Sequence, residues 1–130
     1  MRPDPDYLKE LLLAFQNASE PTIDIRGLAR AGLSHADPKF ELHLLLLRDD
    51  GYITDDRDGN LGMLRGADRT VQWSVIPLRL TASGHQFAEA LGSSKVLATL
   101  KEKFVGASIS TLQQVAVALF KSEMTQHIHL

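Results

Sequence analysis

The chain has 130 residues, 44% hydrophobic and 23% charged, which suits one globular domain with a real core and is too short for two comfortable ones. A net charge of -2 removes the argument that a basic domain would give for nucleic acid. The absence of cysteine excludes disulfide frameworks, thiolate zinc sites and cysteine nucleophiles. Met1–Asp6 lacks the apolar run of a signal peptide, and no segment reaches the roughly 20 apolar residues of a membrane span, so a reducing cytoplasm is the expected location.

The first helix starts at Asp4-Pro5-Asp6: a cap, a proline at the first helical position and an acid at the positive helix end. Tyr7, Leu8, Leu11, Leu12 and Phe15 give it an apolar stripe, and Ser19-Glu20-Pro21 ends it. Thr22–Arg26 alternates apolar and polar and predicts a short half-buried strand. Gly27–Ala36 reads either as one helical turn bounded by Gly27 and Gly32 or as a loop. Asp37-Pro38 then starts a helix to Asp50, with Phe40, Leu44 and Leu47 on one face and Leu42, Leu45 and Leu46 on others. The C-terminal helices or a second subunit are expected to cover that surplus. Gly51 stops the helix, and Tyr52-Ile53-Thr54 begins a strand.

Asp55–Asn60 is a polar turn run, and the excursion to about Thr70 reads as long and mobile. Val71–Val75 predicts the return strand with Val71, Trp73 and Val75 on one face; Pro77 belongs at an edge or bulge, and Leu78-Arg79-Leu80 completes the strand. Thr81 caps a helix over 82–91. Two more follow, over 95–105 with Val96, Leu97, Leu100 and Phe104 inward, and over about 111–125 with Leu112, Val115, Ala116, Leu119 and Phe120 apolar, capped by Ser108 or Ser110. Helix, strand, helix, strand, strand and three helices make an α+β chain: a winged helix-turn-helix core over 1–92, its wing at about 52–80, and a C-terminal helical extension over 93–130 packed on the same domain.

Two motifs sharpen this. Leu42-His43-Leu44-Leu45-Leu46-Leu47 with Gly51-Tyr52-Ile53, and the junction Leu80-Thr81-Ala82-Ser83-Gly84-His85-Gln86-Phe87, resemble segments of a winged-helix family of short bacterial and phage-associated proteins known as a domain of unknown function. The resemblance covers most of the chain, including the last helical pair. Leu45 stands where that family usually has a polar residue, and 56–70 aligns least. It implies a winged helix and no biochemical role. Gly84 is expected to let helix and strand pack closely. His43 and His85, with no acid or nucleophile beside them, read first as structural residues.

A recognition helix should present basic or amide side chains to base edges. The helix from Pro38 offers Lys39, His43 and Arg48 as weak major-groove candidates, against Glu41, Asp49 and Asp50. The wing carries Arg57, Arg65, Arg69 and Arg79 against Asp58 and Asp68, which suits phosphate or minor-groove contact, and Arg26 and Arg30 could add to it. Yet residues 1–65 hold 12 of the 16 acidic residues and only 8 of the 14 basic ones. The expected function is therefore DNA binding through the wing, with double-stranded DNA and a second copy as partners. The alternative is a protein-interaction or homodimerisation module that leaves DNA alone. No glycine-rich phosphate loop, His-Glu-x-x-His or nucleophile elbow occurs, so no enzyme, cofactor or metal is expected. His127-Ile128-His129 lacks a third ligand and reads as a solvated tail.

Overall fold

A computed structural model describes residues 1–128, with side chains through Gln126. The elements are α1 (Pro5–Gln16), α2 (Ile25–Arg30), α3 (Pro38–Asp49), β1 (Ile53–Thr54), β2 (Met63–Arg65), β3 (Val71–Trp73), β4 (Arg79–Leu80), α4 (Ala82–Leu91), α5 (Ser94–Lys103) and α6 (Ile109–Ile128). The described residues form an α+β fold with six helices and two small antiparallel sheets, β1–β4 and β2–β3. Among the described residues no helix is long and apolar enough to cross a membrane. The His127-Ile128-His129 tail lies outside the described side chains.

Helix starts follow their caps. The Asp4 and Asp37 carboxylates each accept the N–H two residues on, from Asp6 and Lys39 at 3.0 Å, and a proline fills the first helical position behind each. Thr81 Oγ1 accepts from the Gly84 N–H at 3.2 Å, and Ser108 Oγ accepts from the Thr111 N–H at the start of α6. Gly84 is where α4 meets the β1 strand: a Cβ there would lie 2.0 Å from the Tyr52 carbonyl oxygen.

The strand predicted over Thr22–Arg26 does not form. Only Ile23 pairs, in an antiparallel bridge to Leu78. The reason is Asp24, whose Oδ1 accepts from the N–H groups of Arg26 (2.9 Å) and Gly27 (3.1 Å) and so starts α2 there. Gly27 lies inside this helix, where an added Cβ would meet Ile23 Cγ1 at 2.6 Å.

The second correction is at the wing, expected over about 52–80. It contains a strand the sequence reading leaves out, β2, paired with β3 in the register Met63 to Trp73, Leu64 to Gln72 and Arg65 to Val71. The return strand breaks after Trp73. Leu78 then bridges to Ile23, and Arg79 and Leu80 pair with Thr54 and Ile53. Val75 therefore leaves the strand that holds Val71 and Trp73 and is 48% exposed.

One core joins all of these elements. Phe40 and Phe87 are fully buried, each contributing roughly 1.5–3 kcal/mol by removal from water. Leu8, Leu11 and Leu12 of α1 belong to the same buried cluster as Leu91, Leu100 and Leu112 of the last helices. α5 and α6 pack on α1 and α4, so they do not close the far side of α3, and Leu42 and Leu45 stay half-buried.

Candidate interaction surface

The side of the molecule built by α3 and the β2–β3 hairpin holds most of the residues singled out for nucleic acid. Trp73 meets Phe40 edge-on with ring centroids 5.3 Å apart, seating the hairpin on α3. Arg65 forms an ion pair with Glu41, and Arg48 donates to the Gly59 carbonyl at 3.3 Å, tying the hairpin's far strand and its entry loop to the same helix.

The entry loop is organised by Asp55, 5% exposed. Its carboxylate accepts from the N–H groups of Arg57 (2.8 Å), Gly59 (3.1 Å) and Leu61 (3.0 Å). Burial opposes ionisation, but these N–H groups outweigh it and hold the carboxyl below its ordinary range. Asp56 and Leu61 take positive φ in this loop, and Arg69 does so in the turn between β2 and β3. Asp55 was not among the residues expected to matter; its spacing to Gly59 was the available signal.

His43 is corrected outright as a major-groove candidate. It is fully buried, its Nδ1 donates to the Lys39 carbonyl (2.7 Å), and its Nε2 accepts from the Asp4 N–H (2.9 Å). Both ring nitrogens are committed, in the neutral tautomer with the proton on Nδ1. Burial pushes its pKa down, against the Lys39 carbonyl, which favours the charged ring. The ring lies tilted against Tyr7, with centroids 4.6 Å apart. The structural reading of His43 accounts for every one of these contacts.

The candidate cations divide into two groups. Lys39 pairs with Asp4 at 3.2 Å, Arg48 with Asp49 at 2.9 Å, Arg26 with Asp24 at 3.0 Å, and Arg65 with Glu41. Arg79 grips Asp56 through two nitrogens, at 2.7 and 2.9 Å, holding that carboxyl below its usual range. Arg30, Arg57 and Arg69 have no carboxylate partner among the described residues. Arg30 is separate from the hairpin, lining the clefts between α1 and α2 with Glu10 and Glu20. Residues 37–79, which include α3 and the hairpin, hold six basic and eight acidic side chains.

Two grooves flank the hairpin. One is lined by Leu45, Arg48, Asn60, Met63, Leu64 and Arg65. The other runs along β3 and is lined by His35, Asp37, Pro38, Glu41, Val71 and Trp73. Leu64 stands 66% exposed. No protein-family model, curated protein or solved structure matches the chain.

Proposed function

We propose that this chain is a winged helix-turn-helix module that acts by contacting a protein partner, with α3 and the β2–β3 hairpin as the working side. The winged-helix reading is supported by three helices leading into a hairpin, by the Ile23 and Thr54 segments flanking the strand at 78–80, and by the junction at Thr81–Gly84.

The observation that carries the protein-contact reading is the charge pairing on that side. Duplex DNA is held mainly through phosphates, which require uncompensated cations. Here Arg48 and Arg65 each face a carboxylate, Lys39 and Arg79 are spent on Asp4 and Asp56 beyond the hairpin, and residues 37–79 hold more acidic than basic side chains. Half-exposed Leu42 and Leu45 and exposed Leu64, rimmed by paired charges, resemble the apolar centre and polar rim of a protein interface. The role is one of binding, and no reaction is assigned to it.

A second reading is phosphate contact through Arg57 of the entry loop and Arg69 of the hairpin turn, which have no carboxylate partner among the described residues. Fluorescence anisotropy with labelled duplex DNA at low and moderate salt separates the two. The expected result is no saturable binding even at low salt. Binding that weakens with salt by the equivalent of several released counterions, and that is lost on replacing Arg57, Arg65 and Arg69 with alanine, would reverse the conclusion.

A further inference from the structure

We infer that the outer edge of β3, with the groove along it, is a docking site for an extended segment of a protein partner carrying Lys or Arg at alternate positions; this rests on the protein-contact reading above.

The hairpin's own hydrogen bonds fix which backbone groups are free. Gly66 N–H donates to the Thr70 carbonyl (2.8 Å) and Ser74 N–H to the Gly62 carbonyl (2.7 Å). In an antiparallel ladder bonded and non-bonded pairs alternate, so Leu64 and Gln72 bond each other while Arg65/Val71 and Met63/Trp73 turn their N–H and C=O groups outward. On the β2 side Met63 N–H is already spent on the Asn60 carbonyl at 2.8 Å. On the β3 side the outward groups of Val71 and Trp73 have no hydrogen-bond partner among the described residues.

This edge also lacks the usual protection. Thr70-Val71-Gln72-Trp73-Ser74-Val75-Ile76 contains no charge, proline or glycine, and no strand covers it. A strand added here would continue the pleat and place alternate side chains on the face shared by Val71 and Trp73. That face opens on the groove of about 380 Å³ bounded by His35, Asp37, Pro38 and Glu41.

The groove's chemistry selects the occupant. One Asp37 oxygen accepts from the Lys39 N–H, and no cation pairs with the carboxylate among the described residues. Glu41 adds a second carboxylate, shared with Arg65. Beside them lies the Trp73 ring, a surface for the stem and charge of a Lys or Arg. A second copy of this chain would bring a second acidic rim to the same face, so a basic foreign segment is the better match.

Trp73 is the sole tryptophan and reports directly on the site. The test titrates isotope-labelled full-length chain with a short alternating Val-Lys peptide, its Val-Glu counterpart and a backbone N-methylated Val-Lys peptide. A saturable change in Trp73 emission, with amide shifts at Val71 and Trp73, is expected for the first peptide alone, in the high-micromolar to millimolar range. Asp37→Asn keeps a capping side chain and should weaken that binding several-fold, whereas Val71→Pro removes an outward N–H and should abolish it. No saturable response, or an equal response to the Val-Glu peptide, overturns the proposal. So does concentration-dependent self-association that Val71→Pro abolishes, which would make the occupant a second copy. Salt-sensitive duplex binding in the anisotropy experiment would remove the protein-contact reading itself; binding neither DNA nor peptide would remove only this site.

Discussion

The main-chain N–H of Asp4 donates to Nε2 of His43 across 2.9 Å, joining the residue that caps α1 to a fully buried ring in the middle of α3. The same ring donates from Nδ1 to the Lys39 carbonyl, and Lys39 reaches back to the Asp4 carboxylate. A cap, a buried imidazole and a surface ion pair thus hold two helices together.

A pH dependence follows. Burial holds the His43 ring below its ordinary 6.5, so an unfolded chain takes up a proton near that pH while the folded chain does not. The unfolded state then binds more protons, and stability falls as pH drops below about 6.5 until the folded ring also protonates. Urea unfolding at pH 7.5 and 5.5 should show the lower midpoint at pH 5.5. His43→Leu should cost about 1–3 kcal/mol at pH 7.5, by leaving the Asp4 N–H unpaired, and should shrink the difference between the two pH values. An unchanged pH response in the variant would show that another group carries it.

Asp55 makes the second case. Its carboxylate is the shared acceptor for three main-chain N–H groups of the 57–61 loop, so Asp55→Ala should cost about 2 kcal/mol and free the loop. Because its folded-state carboxyl lies below the ordinary 3.8, its contribution is present above that value and is lost as pH falls through the folded pKa. Hydrogen exchange should report faster amides at Arg57, Gly59 and Leu61 in the variant. Protected amides there would mean that the loop is held by something other than this carboxylate.

The caps were the most legible features of the sequence. Asp4-Pro5, Asp37-Pro38 and Thr81 each mark a helix start in the structure, because a cap acts on N–H groups two or three residues away. Thr22–Arg26 misled for the same reason in reverse: its alternation is real, but the Asp24 cap within it starts a helix. β2 escaped because Met63-Leu64-Arg65 has little strand character of its own and gains its partner only when β3 folds back. The arginines were visible as residues, but their carboxylate partners were not. Arg79 with Asp56 and Arg65 with Glu41 are separated by 23 and 24 positions. The burial of His43 depends on Asp4, 39 positions away, though its place beside Leu44 and Leu47 already favoured a structural role.

Gly84 offers a sharp test of packing. A Cβ at this site would sit 2.0 Å from the Tyr52 carbonyl oxygen, a main-chain atom that itself accepts the Thr81 N–H. Neither partner can give way without separating α4 from β1. Gly84→Ala should therefore destabilise by about 3 kcal/mol or more, at the upper end for overpacking. Gly92→Ala, whose nearest approach is 3.2 Å to the Glu89 carbonyl, should stay within about 1 kcal/mol of wild type. Thermal unfolding of the two variants side by side would decide the matter; equal midpoints would mean that the helix shifts freely.

The Arg65–Glu41 pair should contribute little to stability despite its placement between hairpin and helix. The Arg65 side chain is 53% exposed and that of Glu41 30%, so water and salt screen most of their attraction. A double-mutant cycle with Arg65→Ala and Glu41→Ala should return a coupling below about 1 kcal/mol, smaller still at high salt. The pair matters instead for what the surface presents. Removing Glu41 alone leaves Arg65 without its carboxylate and takes one negative charge from the groove along β3. Glu41→Ala should therefore weaken the Val-Lys peptide while making the hairpin a better phosphate binder. Anisotropy with duplex DNA at low salt would register that gain, and tighter peptide binding by the variant would show that Glu41 is not part of the groove's selectivity.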